Sequence, residues 1–129
     1  MVSVNQFKFN PRMGLLTLEN NSNKILAKAN IIETPDRVCL CHLKSYEKNK
    51  GYGSQIIEYL KEKFAGKTIS LNASWIEDKP PHKFYIDKGF VPKDKNVFEK
   101  LQIWIKNGAK LEEFPFPRCD SSCPMTFNT

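Results

Sequence analysis

A chain of 129 residues is long enough to build one sheet-centred core and too short to give a second folded domain enough apolar surface of its own. Its 40% hydrophobic and 26% charged residues are those of an ordinary globular protein, and no apolar run approaches the roughly 18 residues of a membrane span. The net charge of +6 comes from lysines scattered between Lys8 and Lys110, which argues against a nucleic-acid partner, although Lys44, Lys48 and Lys50 form a local cluster.

The first residues have neither the basic start nor the apolar stretch of a secretion signal, so a cytoplasmic location and no membrane partner are expected. Residues 2–9 suit an edge strand closed by Asn10 and Pro11. Three β-rich runs follow at 14–19, 24–33 and 37–45, separated by the turn compositions of residues 20–23 and 34–36. They predict a three-stranded antiparallel meander. From Ser54 the period changes: Ile56, Ile57, Leu60 and Phe64 share one helical face, and Gly66 stands where a stop is expected.

Residues 68–73 alternate as a strand again, so strand, helix and strand form a right-handed crossover unit. Pro80 and Pro81 open a short helix over 82–88 that Gly89 closes. Phe90 and Val91 begin another strand. Val97, Leu101, Trp104 and Ile105 recur at helical spacing, residues 110–124 are proline-rich and irregular, and 125–128 suit a final strand.

Cysteines fall at Cys39 and Cys41, and at Cys119 and Cys123. Neither spacing is that of a zinc ribbon or a redox motif, so no metal is expected and Cys39 and Cys41 read as small apolar strand residues.

Chemistry concentrates in residues 48–53, Lys48-Asn-Lys-Gly-Tyr-Gly53, between a strand and an amphipathic helix. Two glycines permit a tight turn and close approach of a ligand, and the helix start offers unpaired N–H groups to an anion such as a pyrophosphate. A glycine turn that merely caps the helix is the plainer reading. A P-loop is excluded because no Lys-Ser/Thr pair follows Gly53, and the dinucleotide fingerprint because Ile56 stands where its third glycine would be.

Residues 43–53 resemble the acetyl-CoA signature of the GNAT acetyltransferases, whose core is Gln/Arg-x-x-Gly-x-Gly/Ala after the fourth strand. Residues 84–90, Phe84-Tyr-Ile-Asp-Lys-Gly-Phe90, are similar to the family's Phe-Tyr-x-x-x-Gly-Phe. The resemblance covers about residues 14–91 and implies an α/β fold. That fold has a mixed central sheet, an antiparallel N-terminal meander in residues 1–45, a strand-helix-strand cofactor unit in 46–91 and a C-terminal insertion in 92–129, all within one domain. It implies acetyl-CoA as acetyl donor, with the amides of Asn49, Lys50, Gly51, Tyr52, Gly53 and Ser54 on the pyrophosphate and Lys48 serving the same phosphates. Leu43 matches the residue whose backbone pairs with pantetheine, the Cys41 N–H matches the donor to the thioester carbonyl, and Asn72 lines the opposite wall.

Tyr85 matches the tyrosine that protonates the departing thiolate, and its plainer reading is a packing aromatic. Glu33, Asp36, His42 and Glu77 are candidates by position for the general base, with His42 carried as the catalytic choice. The implied reaction is direct transfer of acetyl to a primary amine on a small molecule or a protein. The alternative is a non-catalytic CoA-binding regulatory module. A homodimer is compatible with the sequence.

Departures are also visible. Lys48 replaces the family's Arg or Gln, and Asp78 and Pro81 replace the Asn and small residue before Phe-Tyr. Only about a dozen residues precede the meander, so the helix pair that usually helps build the acceptor site is not expected there, and residues 93–117 are the candidate substitute.

Overall fold

The computed structural model describes residues 5–47, 50–76, 79–117 and 121–129. Its strands are β1 (Gln6–Asn10), β2 (Leu15–Glu19), β3 (Ile25–Glu33), β4 (Arg37–Ser45), β5 (Thr68–Ala73), β6 (Val91–Pro92) and β7 (Cys123–Asn128). The helices are α1 (Tyr52–Lys63), α2 (His82–Asp87) and α3 (Lys95–Lys106), followed by a 3-10 turn at Leu111–Glu113. Seven strands form one mixed sheet in the order β1-β2-β3-β4-β5-β7-β6. The chain divides into two compact units, residues 1–69 with 128–129, and residues 70–127.

In the first unit β1 to β4 are an antiparallel meander, and each turn is held by the side chain its composition supplies. Asn10 Oδ1 accepts the N–H groups of Arg12 and Met13, and Asn20 Oδ1 accepts those of Ser22 and Lys24. Gly14 adopts φ +62°, and a Cβ there would lie 2.2 Å from the Ile31 carbonyl oxygen, so only glycine fits.

Alternation then sorts the sheet into two faces. Phe7 stacks on Tyr59 of α1 and Phe9 meets Phe64 edge-on, so α1 covers the face that carries them. The register carries that face to Leu16, Leu18, Ala27 and Ala29, all fully buried. Ile56, Ile57 and Leu60 meet it from the helix, and each such burial contributes roughly 1.5–3 kcal/mol. The other face bears Lys8, Thr17, Glu19, Lys28, Asn30, His42 and Lys44, which is the inside–outside pattern of a one-sided antiparallel sheet.

In the second unit Phe114 is the organising ring. It touches Trp75, His82, Trp104 and Phe116 at centroid distances of 5.8, 4.9, 5.0 and 5.8 Å and so pins the proline-rich segment to α2 and α3. His82 is fully buried and its Nε2–H donates to the Ser121 carbonyl at 2.7 Å, which fixes the tautomer. Burial lowers its pKa, partly offset by that carbonyl, and Nδ1 has no partner among the described residues. Asp94 caps α3 by accepting from the Asn96 and Val97 N–H groups.

Some boundaries differ from those expected, and β1 starts at Gln6 and takes in Asn10 instead of closing before it. Because Gly51 takes the N-cap position, α1 starts at Tyr52, two residues before Ser54, and Gly53 lies in its first turn. Strand β7 starts at Cys123, before Pro124, and pairs antiparallel with β6. No described helix is long and apolar enough to cross a membrane.

Candidate functional site

In β4 the inward residues are Val38 and Leu40, and the next is Leu43, so the phase slips by one. The register records this as a bulge: Ile31 faces Leu40, Asn30 faces His42, and Cys41 has no partner on β3. A bulge frees one residue from the ladder and turns its backbone groups elsewhere. Cys41 is exposed, with its sulfur 3.7 Å from that of Cys39, and His42 is exposed beside it on the polar face. Leu43 is half-buried on the face toward α1 and pairs with Ala29.

Beyond β4, Lys50 is exposed and Gly51 adopts φ +75° and ψ +14° as the N-cap of α1. That left-handed conformation strains any other L-residue, and a Cβ there would meet nothing within 4 Å. Gln55 donates the first helical bond to the Gly51 carbonyl, which leaves the N–H groups of Tyr52, Gly53 and Ser54 outside the intrahelical ladder. Gly51 has no side chain to cap this end, and no acidic residue stands in the first turn. The positive end of the dipole and three adjacent donors are therefore not met by an acid of the helix's own first turn, as a phosphate-binding helix start requires. Lys48 and Asn49 lie outside the described residues.

In the second unit Asn72 is exposed on β5 and its Oδ1 accepts the Ser122 hydroxyl at 2.8 Å. Tyr85 is buried in α2, its ring 5.3 Å from Phe84 and 5.9 Å from Phe90, and burial pushes its phenol up to about 12. The rest of that sequence block is structural. Gly89 has φ +96°, a Cβ on it would press on the Phe127 ring at 3.0 Å, and Phe90 packs between Tyr85 and Phe127.

The other base candidates separate by environment. Glu33 is bound by the Lys67 ammonium at 2.5 Å, Asp36 accepts a long bond from Thr34, and Glu77 lies outside the described residues. Cys119 does too. Burial, reinforced by Asp94, pushes the Cys123 thiol up to about 11. No group of three metal-ligating side chains occurs among the described residues.

An open groove of about 610 Å³ lies at the other end of α1, lined by Phe9, Tyr59, Lys63, Phe64 and Lys67. A helix of 12 residues puts it roughly 18 Å from the N-cap. Its lysines are committed, Lys67 to Glu33 and the Thr34 carbonyl and Lys63 to the faces of Phe9 and Phe64, so the groove reads as helix-end packing.

No family model matches the chain, and no curated protein matches it in sequence. Solved structures do. One, described as a histone acetyltransferase HPA2 and related acetyltransferase from Corynebacterium glutamicum ATCC 13032, matches with TM-score 0.55 at 12% identity over 88% of this chain. An acetyltransferase of the GNAT family from Listeria monocytogenes 4b F2365 matches with TM-score 0.55 at 13% identity over 90%. The chain has the GNAT fold. It spans 63% and 64% of those two chains, a little under two thirds. Within the GNAT fold this chain joins β1 to β2 through residues 11–14 alone.

The β4 bulge and the early start of α1 were not read from the sequence. The bulge had a signal in the spacing of Val38, Leu40 and Leu43. The helix start had one in Gly51, whose left-handed N-cap conformation was not anticipated.

Proposed function

We propose that the chain is an acetyl-CoA-dependent N-acetyltransferase that moves an acetyl group directly to a primary amine. The observation that carries this reading is the start of α1: a left-handed glycine N-cap, three N–H donors outside the helical ladder and no acid in the first turn, following a strand that bulges at Cys41. The residues present fit the donor. Gly51, Tyr52, Gly53 and Ser54 offer backbone N–H groups and Lys50 a cation to its phosphates. Bound acetyl-CoA supplies the acetyl group as an activated thioester.

The chain's own residues then divide the work. The Cys41 N–H, outside the β3 register, is a fixed donor for a carbonyl oxygen on which negative charge develops. His42, exposed beside it, is the base that takes the amine proton, a choice favoured over Glu33 because Lys67 occupies that carboxylate. Tyr85 keeps its proton at neutral pH and is the donor to the departing thiolate. Asn72 is proposed as a backbone contact, since its side-chain oxygen is engaged by Ser122.

Acetyl-CoA should raise the melting temperature of the chain, as any ligand selective for the folded state does. Gly53→Glu puts a carboxylate where the phosphates would sit. Because an acid in the first turn suits the helix dipole, the variant should fold as stably as the parent and lose that shift. Release of CoA with a panel of amines then separates the enzyme from a non-catalytic CoA-binding module. Undiminished acetyl-CoA binding by Gly53→Glu places the cofactor elsewhere.

A further inference from the structure

The sheet face opposite α1 carries a line of cations. The register places Lys8 opposite Thr17, Thr17 opposite Lys28 and Lys28 opposite Lys44, so one row crosses four strands and spans roughly 14 Å. Lys8 is neutralised by Glu19 at 3.1 Å, and the Thr17 hydroxyl and Lys8 hold that carboxyl below its ordinary range. Lys28 and Lys44 have no carboxylate partner among the described residues, and they face each other directly on adjacent strands. Like charges in that position destabilise a sheet, where an opposite pair would stabilise it. Edge protection does not account for Lys28 either, because edge lysines protect unpaired strands and β3 is paired with β2 on one side and β4 on the other.

We propose that this face docks an acidic peptide segment, with Lys28 and Lys44 as its principal contacts. Carboxylates supply the charge the pair lacks, and the row is wide enough for several of them. Nucleic acid is the poorer fit. The row has no arginine for bidentate phosphate contacts, and the Tyr46 ring beside it already lies 5.1 Å beneath the Lys44 ammonium rather than open to a base. Its use as a recognition surface for an acidic acceptor rests on the acetyltransferase reading, since His42 and the Cys41 bulge lie one step along β4. The docking itself does not.

The test is fluorescence anisotropy of a labelled twelve-residue Glu/Asp peptide, blocked at its N-terminus and free of lysine so that no turnover intervenes, titrated with the whole chain at low salt. The parent should bind and weaken as salt rises. Lys44→Glu and Lys28→Glu, each alone, should weaken binding about tenfold or more while raising Tm by roughly 1–4 °C, since each turns a like pair into an opposite one. Lys95→Glu on α3 makes the same change in net charge and should leave affinity within about twofold, the scale of a screened surface charge. The proposal falls if either β-strand variant that folds binds the peptide as tightly as the parent does. It also falls if Lys95→Glu weakens binding equally, if a single-stranded oligonucleotide of matched charge binds more tightly, or if saturating acetyl-CoA abolishes peptide binding. Peptide binding by a chain that ignores acetyl-CoA would leave the docking standing and sink the acetyltransferase reading alone.

Discussion

Replacing Tyr85 with phenylalanine keeps the ring that lies against Phe84 and Phe90 and removes only the hydroxyl. If the phenol donates the proton, Tyr85→Phe should lower turnover by roughly 10²-fold, the lower end for a positioned acid, with acetyl-CoA affinity little changed. The pH dependence of stability gives a second readout. The folded phenol titrates near 12 and the unfolded one near 10, because burial disfavours the phenolate. Its contribution is therefore complete below pH 10 and is lost as pH rises through about 12, a loss of roughly 3 kcal/mol in all. Denaturant unfolding at pH 9 and pH 11.5 should show the parent falling further than Tyr85→Phe. A hydroxyl whose removal costs less than threefold in turnover, with chemistry limiting, would be a packing group only. The sequence block showed where Tyr85 lies along the chain; that Phe90 and Gly89 serve packing against Phe127 depends on contacts remote in sequence.

Strands β2, β3 and β4 follow their sequence runs to within a residue, because alternation and side-chain turns are local signals. The bulge at Cys41 is also local, a break of phase between Leu40 and Leu43. Other determinants of the same elements are not local. Gly14 looks like one more turn glycine, yet its hydrogen atom occupies the place where a Cβ would strike Ile31, whose N–H donates to the Gly14 carbonyl at 2.7 Å. That contact joins the start of β2 to the bulged part of β3. Gly14→Ala combines strain at a positive φ with a clash against backbone, and should cost about 2 kcal/mol or more. Urea unfolding measures it. A loss under about 0.5 kcal/mol would show that the turn relaxes freely.

Across the whole molecule, the strand-helix-strand order and the meander were legible because each is set by neighbours in the chain. The insertion of β7 between β5 and β6 was not, since periodicity identifies a strand without naming its partner. Nor was the division into residues 1–69 with 128–129 and residues 70–127, which falls inside β5 rather than at a loop rich in proline or glycine. The polar face with Lys28 opposite Lys44 was hidden for a related reason: scattered lysines become a row only once the register is fixed.

The central claim is that acetyl-CoA is held by the start of α1 and the bulge of β4. A titration of isotopically labelled chain with acetyl-CoA, followed through backbone amide resonances, tests it residue by residue. The largest shifts should fall on Tyr52, Gly53 and Ser54, with Cys41 moving in step at the same apparent affinity. Saturation with no change at those four amides, or with changes confined to the groove at the far end of α1, would contradict the account.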